Sequence, residues 1–175
     1  VGGEKWQGVR MRTYTTHEIL QLYEFREILE GGAARAAAER ATSADIQRLE
    51  IICAEERPEV GHYGSQRWAE LDHRFHAAVA EASHNERICR SLALLLTEYH
   101  YVFYFYPAHC GRKETPSPDE ATAHMESVLR DHQTLLELIR ARDADAAEHK
   151  ARSDMRKSGQ RATRALVAMD IGGEL

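Results

Sequence analysis

Asp72 and His76 stand four residues apart in the run Leu71-Asp72-His73-Arg74-Phe75-His76. On a helix that spacing puts them on one side, in line with Trp68 and Val79. A carboxylate and an imidazole so placed can bind the same cation. His132 interrupts a second apolar stripe, formed by Met125, Val128, Leu129, Leu135, Leu136 and Ile139. Asp154 lies within a third, formed by Ala147, Ala151, Met155, Ser158 and Ala162. Each of these four groups needs a partner if buried, because an unpaired charge in an apolar interior is costly.

A turn at Arg142-Asp143 relates the last two stripes. His132 and Asp154 lie nearly equal distances from it, with a mismatch of about one residue, or about 1.5 Å of helix rise. An antiparallel hairpin therefore brings them level. Asp72, His76, His132 and Asp154 together make a two-His, two-carboxylate set. Its nitrogen and oxygen donors suit a divalent ion such as zinc, nickel, manganese or ferrous iron. Four protein donors on an octahedral ion leave two positions open, enough for a bidentate carboxylate. The alternative is that these residues only satisfy one another in the core. His149 falls on the polar face with Arg152 and Arg156 and is expected in solvent.

Arg26 shares a stripe with Ile19, Leu22, Leu29 and Ala33. Its guanidinium can clamp a ligand carboxylate or pair with a neighbouring acid. Tyr99, Tyr101, Tyr104 and Tyr106 alternate with Leu92, Leu95, Val102 and Phe103, which suits either core packing or a cavity wall that needs both apolar area and hydroxyls. His100 and His109 suggest no partner.

Six helices are needed to position these residues. The first follows a Thr15-Thr16 cap to about Arg40, with a break expected at Gly31-Gly32. Thr42 and Asp45 form a capping-box pattern for the second. The third covers Ser65 to Ala82, and Ser83-His84-Asn85 ends it. Asn85 caps the fourth, which is expected to reach about Tyr106 before a loop from Pro107 to Thr115. Ser117-Pro118-Asp119-Glu120 opens the fifth, and the turn at Arg142-Asp143 separates it from the sixth. Val1 to Arg12 reads as linker.

The chain has 175 residues, 43% of them hydrophobic, and a net charge of −5. That size suits one domain, and the acidic balance argues against DNA phosphates being gripped by its own surface. Cys53, Cys89 and Cys110 are widely spaced with no CxxC pair, which fits a reducing cytoplasm. No apolar run approaches the roughly 20 residues of a spanning helix, so no membrane partner is expected.

The segment Tyr23 to Glu30, the run Leu71 to His76, the Ser83-His84-Asn85 stop and the hairpin from His132 to Met155 resemble the FCD effector domain of the FadR subgroup of GntR-type transcription regulators. The resemblance covers roughly Thr16 to Ala165. It implies an all-α antiparallel bundle of six to seven helices, with residues 1–15 as linker, 16–168 as the effector-binding domain and 169–175 as a tail. It also implies a core metal, a small carboxylate effector, a homodimer, and operator DNA bound through an N-terminal winged helix-turn-helix outside this chain. Asp72, His76 and His132 match three ligands of the family pattern. The fourth is usually a histidine, and here that position is Asp154, which shifts preference toward oxygen-loving metals. Arg26, Tyr99, Tyr101 and Asn85 are the candidate effector contacts.

Two other roles compete. A metalloenzyme could use the same set to activate water or oxygen. A di-iron centre needs Glu-x-x-His on separate helices, and here Glu70 to His73 and Glu81 to His84 fall on one. A metal-free interaction module is the third. The pattern favours a sensor over an enzyme.

Overall fold

The computed structural model describes residues 14–101 and 116–171, and every regular element among them is helical. We label these α1 (Thr16–Arg40), α2 (Ser43–Glu56), α3 (Gln66–Ala82), α4 (Glu86–His100), α5 (Pro118–Arg140) and α6 (Ala144–Ile171), with a 3₁₀ turn at Arg57–Glu59. Together they form an all-α antiparallel bundle. Residues 1–13, 102–115 and 172–175 lie outside the described residues. So do the expected linker, the end of the fourth helix near Tyr106, the loop after it, and Tyr104, Tyr106, His109 and Cys110.

The helix starts follow from their caps. Thr15 with Glu18, Thr42 with Asp45 and Ser117 with Glu120 form reciprocal capping boxes. Ser65 accepts from the Trp68 backbone N–H, and Asn85 from those of Arg87 and Ile88. Each cap satisfies donors that the first helical turn leaves open. Pro118 then sits where a missing N–H costs nothing.

The expected break at Gly31-Gly32 does not occur: α1 is continuous from Thr16 to Arg40. The two glycines differ in their surroundings. A Cβ on Gly31 would lie 2.6 Å from Arg152 Cγ on α6, whereas a Cβ on Gly32 would meet nothing within 4 Å. Gly159 on α6 is likewise tight, 3.0 Å from Tyr23 Cβ by the same construction. Gly31, Gly159 and the buried Ala33, Ala34, Ala37 and Ala38 let the two longest helices lie close along their length.

The α5–α6 turn carries Arg142 at φ 62. Its guanidinium donates to the carbonyls of Ala38 (3.2 Å) and Ala41 (2.5 Å), which ties the hairpin to the end of α1. Asp143 Oδ1 accepts from the Ala146 N–H and starts α6. Most residues of the predicted inward stripes are buried, Leu71, Phe75, Met125 and Ile139 fully so, while Leu29, Val128 and Ser158 are half-buried. No helix of the described residues is long and apolar enough to cross a membrane.

The paired glycines should respond oppositely to alanine. Gly32→Ala should stabilise by about 0.5–1 kcal/mol through helix propensity alone. Gly31→Ala should destabilise, since overpacking against Arg152 costs about 1–3 kcal/mol. Thermal unfolding of the two variants checks both signs.

Candidate metal centre

Asp72, His76 and His132 each offer a ligand atom within 4.8 Å of the other two. Helix α3 supplies the first two from adjacent turns, and α5 supplies the third from across the core. Asp72 Oδ1 lies 3.9 Å from His76 Nε2 and 3.8 Å from His132 Nε2, so both rings direct Nε2 toward the same carboxylate. The His132 ring stacks on Phe75 at 3.9 Å and 12°, and the two imidazoles meet edge to face at 5.2 Å.

Each histidine uses its other nitrogen on a buried acid. His76 Nδ1 lies 2.6 Å from Glu30 Oε2 on α1. His132 Nδ1 lies 2.8 and 3.1 Å from the two oxygens of Glu56, the last residue of α2. A carboxylate on Nδ1 holds the proton there, which fixes the tautomer and leaves Nε2 free to ligate. These two acids were not among the sequence candidates. Glu56 continues the buried stripe Leu49, Ile52, Cys53, and Glu30 lies one turn beyond Arg26. An acid on an apolar stripe was the available signal.

Arg26 is 1% exposed and lies between Glu30 and the Tyr99 ring. Its Nε donates to Glu30 Oε1 at 2.7 Å, and its guanidinium carbon lies 3.9 Å from the centre of the Tyr99 ring. Nη2 is buried with no hydrogen bond of good geometry, although Glu30 Oε1 is 2.7 Å away. Glu30 thus bridges Arg26 and His76, one oxygen to each. Burial pushes the Glu30 carboxyl up, but Arg26 and then His76 more than reverse this and hold it well below the usual carboxylate range.

The other expected residues are placed differently. Asp154 is not one of the group that converges within 4.8 Å; both its oxygens lie against Lys150 Nζ, at 2.7 and 2.6 Å. The Asn85 carbonyl oxygen accepts the two N–H bonds of the α4 cap, so that side chain serves the helix rather than the centre. Tyr101, just past α4, packs against Tyr14 at 6.2 Å between ring centres. Tyr99 adjoins Arg26, and the Tyr23 ring centre lies 5.9 Å from the same guanidinium carbon. His149 is exposed, as its polar face predicted.

The buried set suits a divalent cation. With both imidazoles neutral, it holds one positive group, Arg26, against three carboxylates, Glu30, Glu56 and Asp72. The resulting charge of −2 is balanced by one divalent ion, and two imidazoles with one carboxylate are donors that such ions accept.

Without an ion, protonation of His132 would offset part of that charge. Burial alone disfavours the imidazolium. Glu56, by charge and hydrogen bond, followed by Asp72 and Asp154, outweighs it and raises the His132 pKa above the ordinary value. A raised folded pKa stabilises fully below the unfolded value of about 6.5, and that contribution fades as pH rises through the folded pKa. In chelator-treated protein, the stability advantage of wild type over Glu56→Gln should therefore shrink as pH rises above about 6.5 and through the raised folded pKa. Denaturant titrations of both proteins across that range check this, and a constant difference would contradict it.

Residues 21–157 match the FCD domain. The chain is 30% identical over 155 residues to the galactonate operon transcriptional repressor of Escherichia coli (strain K12). That alignment takes in 89% of this chain and 62% of the repressor, so the chain spans less than two thirds of that relative's length. Among solved structures, a GntR-family transcriptional regulator from Pseudomonas syringae pv. tomato str. DC3000 superposes with a TM-score of 0.68 at 19% identity, covering 97% of this chain and 65% of that one. Streptococcus agalactiae GntR superposes with a TM-score of 0.65 at 21% identity, covering 85% and 61% respectively. At these identities the two structures speak for the shared fold.

Proposed function

The chain belongs to the FCD domain family, and on that premise we propose that it is the ligand-sensing part of a transcription regulator, in which a small organic acid binds at a divalent metal held by Asp72, His76 and His132. The observation that carries this reading is the convergence of those three donors within 4.8 Å, with the far nitrogen of each imidazole already held by a buried acid. Preorganised donors lose little freedom when an ion binds.

Zinc, nickel or manganese suits the donor set. When bound, the ion supplies a positive charge and open positions for a carboxylate. Arg26, paired with Glu30, contributes a second cationic group to the buried set. Tyr99 covers the guanidinium and walls that side of the centre. An aldonic acid is the natural first probe, because the Escherichia coli relative bears the name of a galactonate operon repressor.

The role is one of binding rather than turnover, in keeping with the regulator names of the relatives compared above. The effector would shift a homodimer between two arrangements and so change the DNA affinity of a winged-helix domain outside this chain. The setting is cytoplasmic.

Protein purified without chelator should contain about one equivalent of a divalent metal by elemental analysis. Galactonate at a hundredfold excess over its Kd should add roughly 2.7 kcal/mol of stability, and chelator should abolish that gain. Asp72→Ala and His132→Ala should lose both metal and response while staying helical by circular dichroism. A galactonate-induced rise in Tm that survives in metal-free protein would contradict the proposed role of the ion.

A further inference from the structure

Lys150 sits one turn before Asp154 on α6, and its ammonium joins that residue to α5. Nζ lies 2.7 and 2.6 Å from the two Asp154 oxygens and 2.5 Å from Asp131 Oδ1. The Lys150 and Asp154 side chains are 16% and 13% exposed, so neither contact is an open surface pair. Lys157 Nζ approaches Asp154 Oδ1 from the solvent side at 3.7 Å. Resting on the sensor role proposed above, we propose that Lys150 keeps Asp154 out of the metal's coordination shell, so that the protein supplies three donors and the acid effector takes the place a fourth would fill.

Charge balance separates the two groups. The centre of Arg26, Glu30, Glu56 and Asp72 is matched by a single divalent ion without Asp154. The neighbouring group is matched by itself, with Asp131 and Asp154 against Lys150 and Lys157. Moving Asp154 onto the metal would strip Lys150 of two short charge-assisted contacts and leave its own group with one excess positive charge. Both changes are unfavourable where water is scarce.

The consequence concerns which acids fit. With three protein donors instead of four, more of a bound ion's shell would stay open to the effector. A 2-hydroxycarboxylate could then hold the ion through its carboxylate and its adjacent hydroxyl together, whereas a set that included Asp154 would leave less room for such chelation.

Metal affinity measured by competition with a chromophoric chelator, together with galactonate titration of the zinc-loaded chain, tests this. Asp154→Asn should leave the zinc Kd within about threefold of wild type, whereas the same isosteric change Asp72→Asn should raise it roughly a hundredfold. Lys150→Met frees Asp154, so zinc should tighten and galactonate weaken, each by about tenfold. If Asp154→Asn weakens zinc tenfold or more while helicity is retained, Asp154 is a ligand and the assignment is overturned, with the sensor role intact. An unchanged Lys150→Met overturns it equally. Wild-type protein that takes up no zinc, nickel or manganese overturns the sensor role and this assignment together.

Discussion

Glu30 and Glu56 are almost wholly withdrawn from water, and each relies on an imidazole nitrogen at hydrogen-bond distance. The geometry of the centre depends on that constraint. A carboxylate in the core must have a donor, and the donor each receives is the Nδ1 side of a histidine. Both rings are thereby oriented, and both Nε2 atoms point to Asp72. Arg26 completes the set by pairing with the other oxygen of Glu30. Four helices are thus joined by a single polar chain: α1 through Arg26 and Glu30, α2 through Glu56, α3 through Asp72 and His76, and α5 through His132.

The rest of the bundle allows these helices to come close enough for the chain of contacts to close. Alanines and two tightly fitted glycines let α1 and α6 lie side by side, and Arg142 fastens the α5–α6 turn to the carbonyls at the end of α1. Phe75 packs flat against the His132 ring and limits its rotation. A centre built this way responds as a unit, since displacing one carboxylate unsettles an imidazole and, through Glu30, the arginine beside it.

Substituting an aspartate at the fourth position of the family pattern changes more than one ligand. Histidine there could be neutral and available. Aspartate brings a negative charge that requires its own partner, and Lys150 one turn away meets that need together with Asp131 on α5. Two balanced groups lie next to each other in place of one larger cluster.

Much of this was legible in the residues alone. The caps at Thr15, Thr42, Asn85 and Ser117 set the helix starts because short polar side chains must satisfy the first-turn amides. The spacing of Asp72 and His76, and the intrusion of His132 into an apolar stripe, located the centre because helical periodicity is local. Tertiary packing decided what periodicity cannot express. Glu30 and Glu56 owe their roles to distant histidines, with Glu56 and His132 separated by 76 positions. Asp154 lies on the inner stripe, as its spacing required, yet a lysine on its own helix and an acid on α5 hold its carboxylate. α1 runs unbroken through Gly31-Gly32, and only the fold shows that Arg152 on α6 fills the space a side chain at Gly31 would need. A sequence states which groups share a face; which of them touch depends on how those faces meet across the bundle.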